Sequence, residues 1–397
     1  MSRFTFSLAT SADDAQLRAR MAEDRMEGNI AISFRREPSY FAGSRLQGDQ
    51  VQVITCHDTF DRANRIVGLG SRASCQMHVN GQPLRIGYLS DLRADPQYRN
   101  GTLLARGYRF LRTLHEAEPL PLYVSIIFDT NRTALQTLVG GRAGLPNYTC
   151  LGKILTPALH LDFPRRAITL PGVTLRRAQA ADLPAIVRFL NRRLATRQFS
   201  PVYAEADFLP GGRCTGLRVT DFFVAIKDGQ TAIASDDNLV ATLAAWDQAG
   251  VRQTHIERYS TALTLLRPLN NLASKLSPLK PLPAVGSRVP YLYWCCIAVQ
   301  NDDLTLLRAL VRHAYRALRS GPWHYAIMGL HERDPLAPIL QEYRQIPAAG
   351  LLYRVDFADS GNPAGEAAAG EPAAGEPAAG KQFTLDNRIP CFEMALA

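Results

Sequence analysis

The chain repeats a short pattern near its start and again near its middle. Residues 6–24, FSLATSADDAQLRARMAED, resemble residues 175–193, LRRAQAADLPAIVRFLNRR. Each copy has a short strand pattern, an alanine and, four residues later, an aspartate that can cap the following helix. These residues are Ala9 and Asp13 in the first copy and Ala178 and Asp182 in the second. Two copies predict two similar modules in tandem, with a boundary near 163–172, where FPRRAITLPG brings two prolines.

Residues 84–107, LRIGYLSDLRADPQYRNGTLLARG, predict a strand that runs into a helix. Alternating apolar residues favour a strand, Asp95-Pro96 stops it, and a helical pattern begins at Leu103. The first turn of a helix combines free N–H groups with the positive end of the helix dipole, which together bind anions. Arg99 adds a positive charge beside them. The junction therefore predicts a phosphate ligand.

The order of strand, P-x-Y-R, turn and helix at 96–102 resembles the acyl-coenzyme A signature of the GNAT superfamily of N-acetyltransferases. In that family a loop of pattern R/Q-x-x-G-x-G/A wraps the coenzyme pyrophosphate with main-chain amides, and Arg99 matches its first position. The two glycine positions fall on Thr102 and Leu104, whereas Gly101 lies one residue away. An ordinary strand-to-helix turn in an α/β domain is the alternative interpretation.

The resemblance implies an α/β (α+β layered) fold of two tandem modules. Each module is expected to be a twisted, mixed, mostly antiparallel sheet flanked by helices. The resemblance also implies that the first module binds acetyl-coenzyme A or another acyl-coenzyme A as co-substrate. The residues expected to contact the coenzyme are Leu92, Arg93, Ala94, Arg99, Asn100, Gly101, Thr102, Leu103 and Asn131. Asn131 starts an N-x-x-A pattern common after the fifth strand of the family, and as a helix cap it has an equally good structural role.

In this family an amine attacks the thioester directly, which requires a base for the amine proton and donors for the carbonyl oxygen. The candidate base is Asp91, or a water held by it, and His78 is the second choice. The family's general-acid tyrosine falls on Leu138, so Tyr148, ten residues later, is the candidate acid. The structural alternative for Asp91 is a polar residue on a partly exposed strand or a turn cap.

The second module is expected to have lost the coenzyme. When the two halves are aligned with an offset of 203 residues, Asp302 and Asp303 correspond to Arg99 and Asn100. Two carboxylates facing a pyrophosphate repel it, whereas an acidic first turn stabilises its own helix. The second module would then serve as a support, a lid or a substrate platform.

The predicted modules are residues 1–165 and 166–397. The second contains an insertion at 251–288, with a helical part whose Tyr259, Leu263, Leu266 and Leu269 are expected to pack on the protein rather than bind a membrane. It also contains a low-complexity segment at 359–381, predicted to be a flexible loop. The tail at 383–397 alternates apolar and polar residues, which predicts a final strand.

Composition narrows the possible partners. The chain has 397 residues, a net charge of +9 and a pI of about 9.3, but its arginines are scattered, so specific nucleic-acid binding is not expected. Seven cysteines without C-x-x-C spacing indicate neither a disulfide framework nor a metal site. The absence of a long apolar run and the acidic N-terminal segment predict a cytoplasmic protein without a membrane partner.

Three classes of function remain open from the sequence. The first is an acyl-coenzyme A-dependent N-acyltransferase whose acceptor is a small-molecule or peptide amine. The second is a catalytically inactive protein that binds acyl-coenzyme A and has a regulatory role. The third is a related tandem transferase that uses an aminoacyl-tRNA donor, which the basic pI favours slightly. The oligomeric state is not predicted.

Overall fold

A computed structural model describes residues 3–61, 64–99, 102–140, 144–227, 238–357 and 383–397. The predicted coenzyme contacts Asn100 and Gly101 and the predicted loop at 359–381 therefore lie outside the described residues. The strands before residue 165 are β1 (Phe4–Leu8), β2 (Arg25–Met26), β3 (Ile30–Arg35), β4 (Gln50–Asp58), β5 (Ile66–Val79), β6 (Gln82–Ala94), β7 (Tyr123–Phe128), β8 (Asn147–Leu155) and β9 (Ala158–His160). The helices there are α1 (Asp14–Glu23), α2 (Tyr40–Ser44), α3 (Leu103–Ala117) and α4 (Arg132–Leu138).

The second half of the chain repeats this order with additions. Its strands are β10 (Val173–Arg177), β11 (Ser200–Pro201), β12 (Phe222–Lys227), β13 (Leu239–Trp246), β14 (Gln253–Tyr259), β15 (Tyr291–Val299), β16 (Tyr325–Met328), β17 (Leu330–His331), β18 (Gln345–Ile346) and β19 (Ala349–Asp356). Its helices are α5 (Leu183–Leu194), α6 (Thr261–Ala273) and α7 (Leu304–Leu318).

Two mixed sheets form the frame of the molecule. The first has the order β1-β4-β5-β6-β7-β19-β8-β17, with β11 beside β5, and the second has the order β10-β12-β13-β15-β16-β9-β18. Most neighbouring strands are antiparallel, but β6 with β7 and β15 with β16 are parallel. The two halves thus share one topology, which confirms the predicted fold class of two tandem layered modules.

The two sheets exchange strands. β9, which belongs to the first half of the chain, pairs with β16 in the second sheet. β19, from the second half, lies between β7 and β8 in the first sheet. A smaller sheet, β14-β3-β2, also joins the two halves. The boundary between 165 and 166 remains a prediction, but strands from each side complete the sheet of the other.

Helices cover both faces of each sheet because neighbouring strand residues point to opposite sides. In the first sheet, Val53 packs with Leu17 of α1, whereas Ile54 packs in a cluster with Leu111 of α3. In the second sheet, the cluster on one face includes residues of α5 and the cluster on the other includes residues of α7. The predicted aspartate caps are wrong in detail, because Asp13 and Asp182 are the N-cap residues of α1 and α5 but their side chains accept no N–H from those helices. Each aspartate instead bonds back across the preceding 3-10 turn: Asp13 accepts the N–H of Thr10 at 2.8 Å, and Asp182 accepts that of Gln179 at 2.7 Å.

The tail does not form the predicted strand. Its described residues make one isolated bridge, between Gln198 and Pro390, and end in a short 3-10 turn at Met394–Leu396. The places beside β7 and β16 are taken by β19 and β9, so no edge there is free for the tail. Its apolar residues instead enter two cores, with Phe392 in a cluster of the first sheet and Leu396 in one of the second.

Candidate functional site

β6 and β7 separate along their length and leave an opening. They pair only from Gly87–Tyr123 to Leu89–Ser125, and the Ser125 hydroxyl donates to the Leu89 carbonyl at 2.9 Å. At the closed end, a Cβ on Gly87 would overlap the Tyr123 ring, so glycine lets the two strands approach. Beyond Leu89 and Ser125 each strand continues without the other. We call the space between residues 90–94 and 126–128 the first cleft.

A bulge lies two residues into the first cleft. The register shift between β5 and β6 places both Asp91 and Leu92 opposite Gly70. Asp91 has a φ of 55°, which is the left-handed region that a non-glycine residue rarely adopts. Such bulges redirect a strand and its side chains, and they are over-represented next to active sites. The bulge turns β6 away from β7 at Asp91, the candidate base.

The carboxylate of Asp91 is already engaged. It forms an ion pair with the buried Arg36 and accepts a hydrogen bond from the Tyr40 hydroxyl at 3.0 Å. Burial, with the Asp91 charge, raises the pKa of Tyr40, so this hydroxyl remains a donor. Arg252, whose Nε donates to the Gly43 carbonyl at 3.0 Å, lies near Arg36, and burial next to that second cation lowers its pKa to about 10. Both donors to Asp91 lie close together in the chain, since Arg36 directly follows β3 and Tyr40 is the first residue of α2.

Among the described residues, no side chain caps the N-terminus of α3. Its N-cap residue is Thr102, whose side chain makes no capping hydrogen bond, and the first turn contains no acidic residue. Four N–H groups at the start of a helix lack partners inside the helix. The first turn of α3 thus keeps donors and a positive dipole end, and binding of an anion there remains a prediction.

Four arginines and their carboxylate partners surround the connection before α3. Asp24 contacts Arg20 at 3.1 Å, Arg99 at 3.3 Å and Arg93 at 3.5 Å. Asp95, which is buried, contacts Arg20 at 3.4 Å and Arg65 at 3.2 Å. Arg20 also pairs with Glu23 at 2.9 Å and Arg65 with Asp61 at 3.6 Å, so four carboxylates balance the four guanidinium groups. Arg99 is held further by a bond from its Nε to the Ala94 carbonyl at 3.0 Å.

The turn that carries Arg99 is anchored to the sheet. Asp95 accepts the N–H of Gln97 at 2.9 Å and starts the 3-10 turn Pro96–Tyr98. The Tyr98 hydroxyl donates to Asp58 at 2.9 Å, and the Arg3 guanidinium on that carboxylate lowers its pKa to about 2. Asp58 is therefore ionised at neutral pH and holds the turn in place through Tyr98. The turn in that position fixes the location of Arg99.

The other predicted coenzyme contacts lie around this region. Leu92 is exposed in the first cleft, and Leu103 is buried against Cys56 and Val67 at the start of α3. Asn131 lies just past β7 and caps α4, accepting the N–H of Ala134 at 3.1 Å. The predicted role of Asn131 as a helix cap is therefore confirmed, whereas its contact with a coenzyme remains a prediction.

The structure does not bring the other candidate catalytic residues to Asp91. Tyr148 is opposite Val355 of β19, which in turn pairs with Tyr123, so it lies at the closed end of the cleft. Its hydroxyl bonds that of Tyr108 at 2.6 Å, and burial raises its pKa well above the ordinary value. His78 is buried at the far end of β5, where burial lowers its pKa. Catalytic roles for these residues remain predictions.

The second module has an equivalent cleft at β15 and β16, which we call the second cleft. The two strands pair from Tyr291–Tyr325 to Trp294–Met328 and then part. Two residues further, Cys296 has a φ of 51° in a bulge opposite Leu243, as Asp91 has opposite Gly70. The bulge of the first cleft is thus reproduced in the second.

The tail occupies the second cleft. Glu393 accepts the N–H of Cys296 at 2.9 Å, and Met394 lies against Gly329, where a Cβ would come within 2.5 Å of its side chain. Burial raises the pKa of Glu393 to about 7. Ala395 and Leu396 complete the apolar core beside it. A segment of this chain thus lies at the bulge of the second cleft.

The N-terminus of α7 is also occupied. Asp303 is its N-cap and accepts the N–H groups of Thr305 at 2.8 Å and Leu306 at 3.2 Å. Asp302 contacts Arg197 at 2.9 Å. The predicted alignment of Asp303 with Asn100 is wrong, because Asp303 occupies the N-cap position that Thr102 has in α3. The connection from the bulge to the helix is four residues shorter in the second module. An alignment with one constant offset cannot match both the bulges and the helices.

Sequence reasoning missed Arg36, Tyr40 and Glu393. A signal for Glu393 was present, because it is a lone carboxylate in the apolar run IPCFEMALA. Arg36 and Tyr40 belong to RREPSY, whose pattern gives no indication of a distant partner. Among the described side chains, no group of three or more His, Cys, Asp or Glu residues is placed to hold a metal ion.

No protein-family model and no curated protein sequence matches the chain. Solved structures do match, at low identity. The GCN5-related glucosamine N-acetyltransferase region of a fungal multi-domain GH3 β-N-acetylglucosaminidase aligns with a TM-score of 0.57 and 11% identity over 89% of this chain. This chain covers 38% of that longer protein.

Two further structures align over most of both chains. A GCN5-related N-acetyltransferase from Sphaerobacter thermophilus has a TM-score of 0.52 and 10% identity, over 90% of this chain and 96% of its own. Saccharomyces cerevisiae N-myristoyltransferase with bound myristoyl-CoA has a TM-score of 0.57 and 9% identity, over 89% and 83%. The chain therefore has the fold of the GCN5-related N-acetyltransferases, in a tandem two-module arrangement consistent with that of N-myristoyltransferase.

Proposed function

We propose that the protein is an acyl-coenzyme A-dependent N-acyltransferase that binds its coenzyme in the first cleft. The observation that carries this proposal is the uncapped N-terminus of α3 beside the open separation of β6 and β7. The first turn of α3, with Arg99, would hold the pyrophosphate. The thioester arm would then extend along residues 92–94, beyond the last pairing of β6 with β7. The similar fold of a structure with bound myristoyl-CoA supports this assignment.

The proposed reaction transfers the acyl group in one step. An amine nitrogen attacks the thioester carbonyl, a C–N bond forms and the C–S bond breaks. The amine loses one proton to a base, and the coenzyme leaves as a thiolate that is protonated to the thiol. Main-chain N–H groups near the bulge are suitable donors to the carbonyl oxygen as its negative charge develops. The acceptor is an amine of a small molecule or a peptide.

The engaged carboxylate of Asp91 supports one alternative function, that of a catalytically inactive protein that binds acyl-coenzyme A. A carboxylate held by Arg36 and the Tyr40 hydroxyl has fewer free lone pairs with which to accept an amine proton. Thiol release from acetyl-coenzyme A with a panel of amines separates the two functions. Turnover supports the transferase, whereas coenzyme binding without thiol release with any amine supports the regulatory role.

Ligand-induced stabilisation tests the site itself. Coenzyme A or acetyl-coenzyme A at about 100 times its Kd should stabilise the protein by about 2.7 kcal/mol, seen as a raised melting temperature. Arg99→Glu should abolish this shift. Arg316→Glu is the matched control, because it makes the same charge change on the exposed face of α7. Equal shifts in wild type and Arg99→Glu would refute the proposed phosphate site.

A further inference from the structure

Helix α6 presents its leucines to solvent. Leu265, Leu266, Leu269 and Leu272, with Leu276 just beyond the helix, are between 54% and 89% exposed. At 100° per residue they form a stripe about 120° wide. The expectation that this face packs on the protein is therefore wrong for Leu266 and Leu269. We call these five residues the leucine stripe.

The polar side of α6 faces the protein instead. Asn271 exchanges two hydrogen bonds with the main chain of Leu282, accepting its N–H at 2.7 Å and donating to its carbonyl at 3.2 Å. Arg267 donates to the same carbonyl at 3.3 Å, and Asn270 donates to the Lys280 carbonyl at 3.3 Å. These bonds fix the rotation of the helix about its axis. Because the polar side of α6 bonds to residues 280–282, the leucine stripe on the opposite side faces the solvent.

The segment that carries the stripe has basic residues and no acidic ones, although Arg258 pairs with Glu27 of the first half at 2.8 Å. From residue 258 to residue 301 the chain has no Asp or Glu, whereas Arg258, Arg267, Lys275, Lys280 and Arg288 are cations. Lys275 and Arg288 are exposed. The stripe itself is wholly aliphatic, whereas interface cores between proteins are enriched in aromatic residues. Leucines with flanking cations are the composition of helices that lie on anionic lipid surfaces.

We propose that α6 docks on the surface of a bilayer that contains anionic phospholipids. The leucine stripe enters the boundary between headgroups and acyl chains, while Lys275 and Arg288 contact lipid phosphates. In the described part of the chain no helix is long and apolar enough to cross a membrane, so the docking is peripheral. This proposal replaces the sequence-based expectation that the chain has no membrane partner.

The docking helix is connected to the first cleft through the small sheet. α6 starts two residues after β14, which pairs with β3. The Phe34 ring of β3 stacks on Phe128, at the end of β7, with a centroid distance of 5.9 Å. Membrane docking would therefore hold the first cleft near the lipid surface. The docking does not depend on acyl transfer and can be tested without it.

Flotation of the full-length protein with vesicles tests the proposal. Binding is expected to vesicles of phosphatidylcholine with phosphatidylglycerol, and weaker binding to phosphatidylcholine alone. Leu269→Asp should weaken binding about tenfold, since it places a charge among the apolar contacts. Lys275→Glu should weaken binding to the anionic vesicles at least about fivefold. Leu209→Asp is the matched control, because Leu209 is 51% exposed outside α6 and should leave binding unchanged.

Thermal melting of each variant checks that the fold is retained, and Leu276→Asp provides a second variant beyond the end of the helix. Absence of wild-type binding to anionic vesicles would overturn the proposal. Equal loss in Leu269→Asp and Leu209→Asp would do the same. A dimer in solution that dissociates in Leu269→Asp, with no vesicle binding, would show instead that the stripe joins two copies of the chain.

Discussion

The two clefts have the same backbone plan and opposite contents. In each, two parallel strands pair briefly and part, and two residues later a bulge places a non-glycine residue at positive φ, Asp91 or Cys296. In the first cleft the following helix begins without a side-chain cap and with Arg99 nearby. In the second, Asp303 caps the helix and Glu393 accepts the bulge N–H. Topology therefore supplies the junction, and a few side chains distinguish its two copies; we propose that these side chains decide whether an anion can bind.

The largest expected effect comes from giving the first helix an acidic N-cap like that of the second. Thr102→Asp places a carboxylate where the pyrophosphate is expected, and we expect coenzyme binding about 100-fold weaker, or about 2.7 kcal/mol. Calorimetric titration measures the change. Asp303→Ala is the control: it should lower the free energy of unfolding by about 1 kcal/mol without altering coenzyme affinity. Unchanged affinity in Thr102→Asp would remove the distinction between the clefts.

The closed end of the first cleft depends on Gly87. Gly87→Ala should lower the free energy of unfolding by about 1–3 kcal/mol, because its Cβ would overlap the Tyr123 ring and push β6 from β7. Urea denaturation measures this loss. Gly250→Ala is the matched control, since no atom lies within 4 Å of its Cβ position, and it should change stability by less than about 0.5 kcal/mol. Similar stability of both variants would contradict the close approach at Gly87.

The filling of the second cleft predicts a pH dependence. The pKa of Glu393 is raised to about 7 in the folded protein, so the folded state binds a proton that the unfolded state has released. Stability from this group is therefore present at low pH and is lost as pH rises from about 4.5 to 7. Glu393→Gln keeps an acceptor without the charge, and it should be about 2 kcal/mol more stable than wild type at pH 8 but not at pH 4.

Urea denaturation across this pH range gives the comparison for Glu393. The control is Glu205→Gln, at an exposed glutamate, which should follow the wild-type curve. The prediction fails if the free energy of unfolding of the wild type rises between pH 4.5 and 7, relative to that of Glu393→Gln. Such a result would show that the Glu393 carboxylate is not held in the buried position.

The smallest expected effect concerns the carboxylate beside the first cleft. Asp24 contacts Arg93 and Arg99, so Asp24→Asn frees both cations and should tighten coenzyme binding about two- to fivefold. Calorimetric titration at low salt measures it. Glu27→Gln, which breaks an exposed ion pair with Arg258, should leave affinity unchanged. Weaker coenzyme binding in Asp24→Asn would indicate that Asp24 positions Arg99 rather than competing for it.

Local elements were predicted well. The predicted strand that Asp95-Pro96 stops is Gln82–Ala94, and the helix predicted to begin at Leu103 is Leu103–Ala117. Alternation and helical period depend on residues that are close in sequence, so the chain itself displays them. The site was predicted only in part. The strand-to-helix junction was predicted and is present, the functional roles of Arg99 and Asp91 remain predictions, and the residues that hold Asp91 were not predicted.

The errors share one cause. The tail was predicted to be a strand because its pattern alternates, but β19 and β9 take the places beside β7 and β16. The helical part of the insertion was expected to bury its leucines, but hydrogen bonds to residues 280–282 hold its polar side inward. In each case the outcome depended on a competing segment, which local periodicity does not report.

The sequence by itself determined that the chain has two similar modules and that the first contains a positively charged junction between strand and helix. Only the tertiary structure decided which strands complete each sheet, that Arg36 meets Asp91, and that Glu393 enters the second cleft. Repeats and periodicities depend on residues that are near one another in the chain, so they can be read from the sequence alone. Pairings such as Glu393 with Cys296 join residues 97 positions apart, and they arise only when both cores have packed.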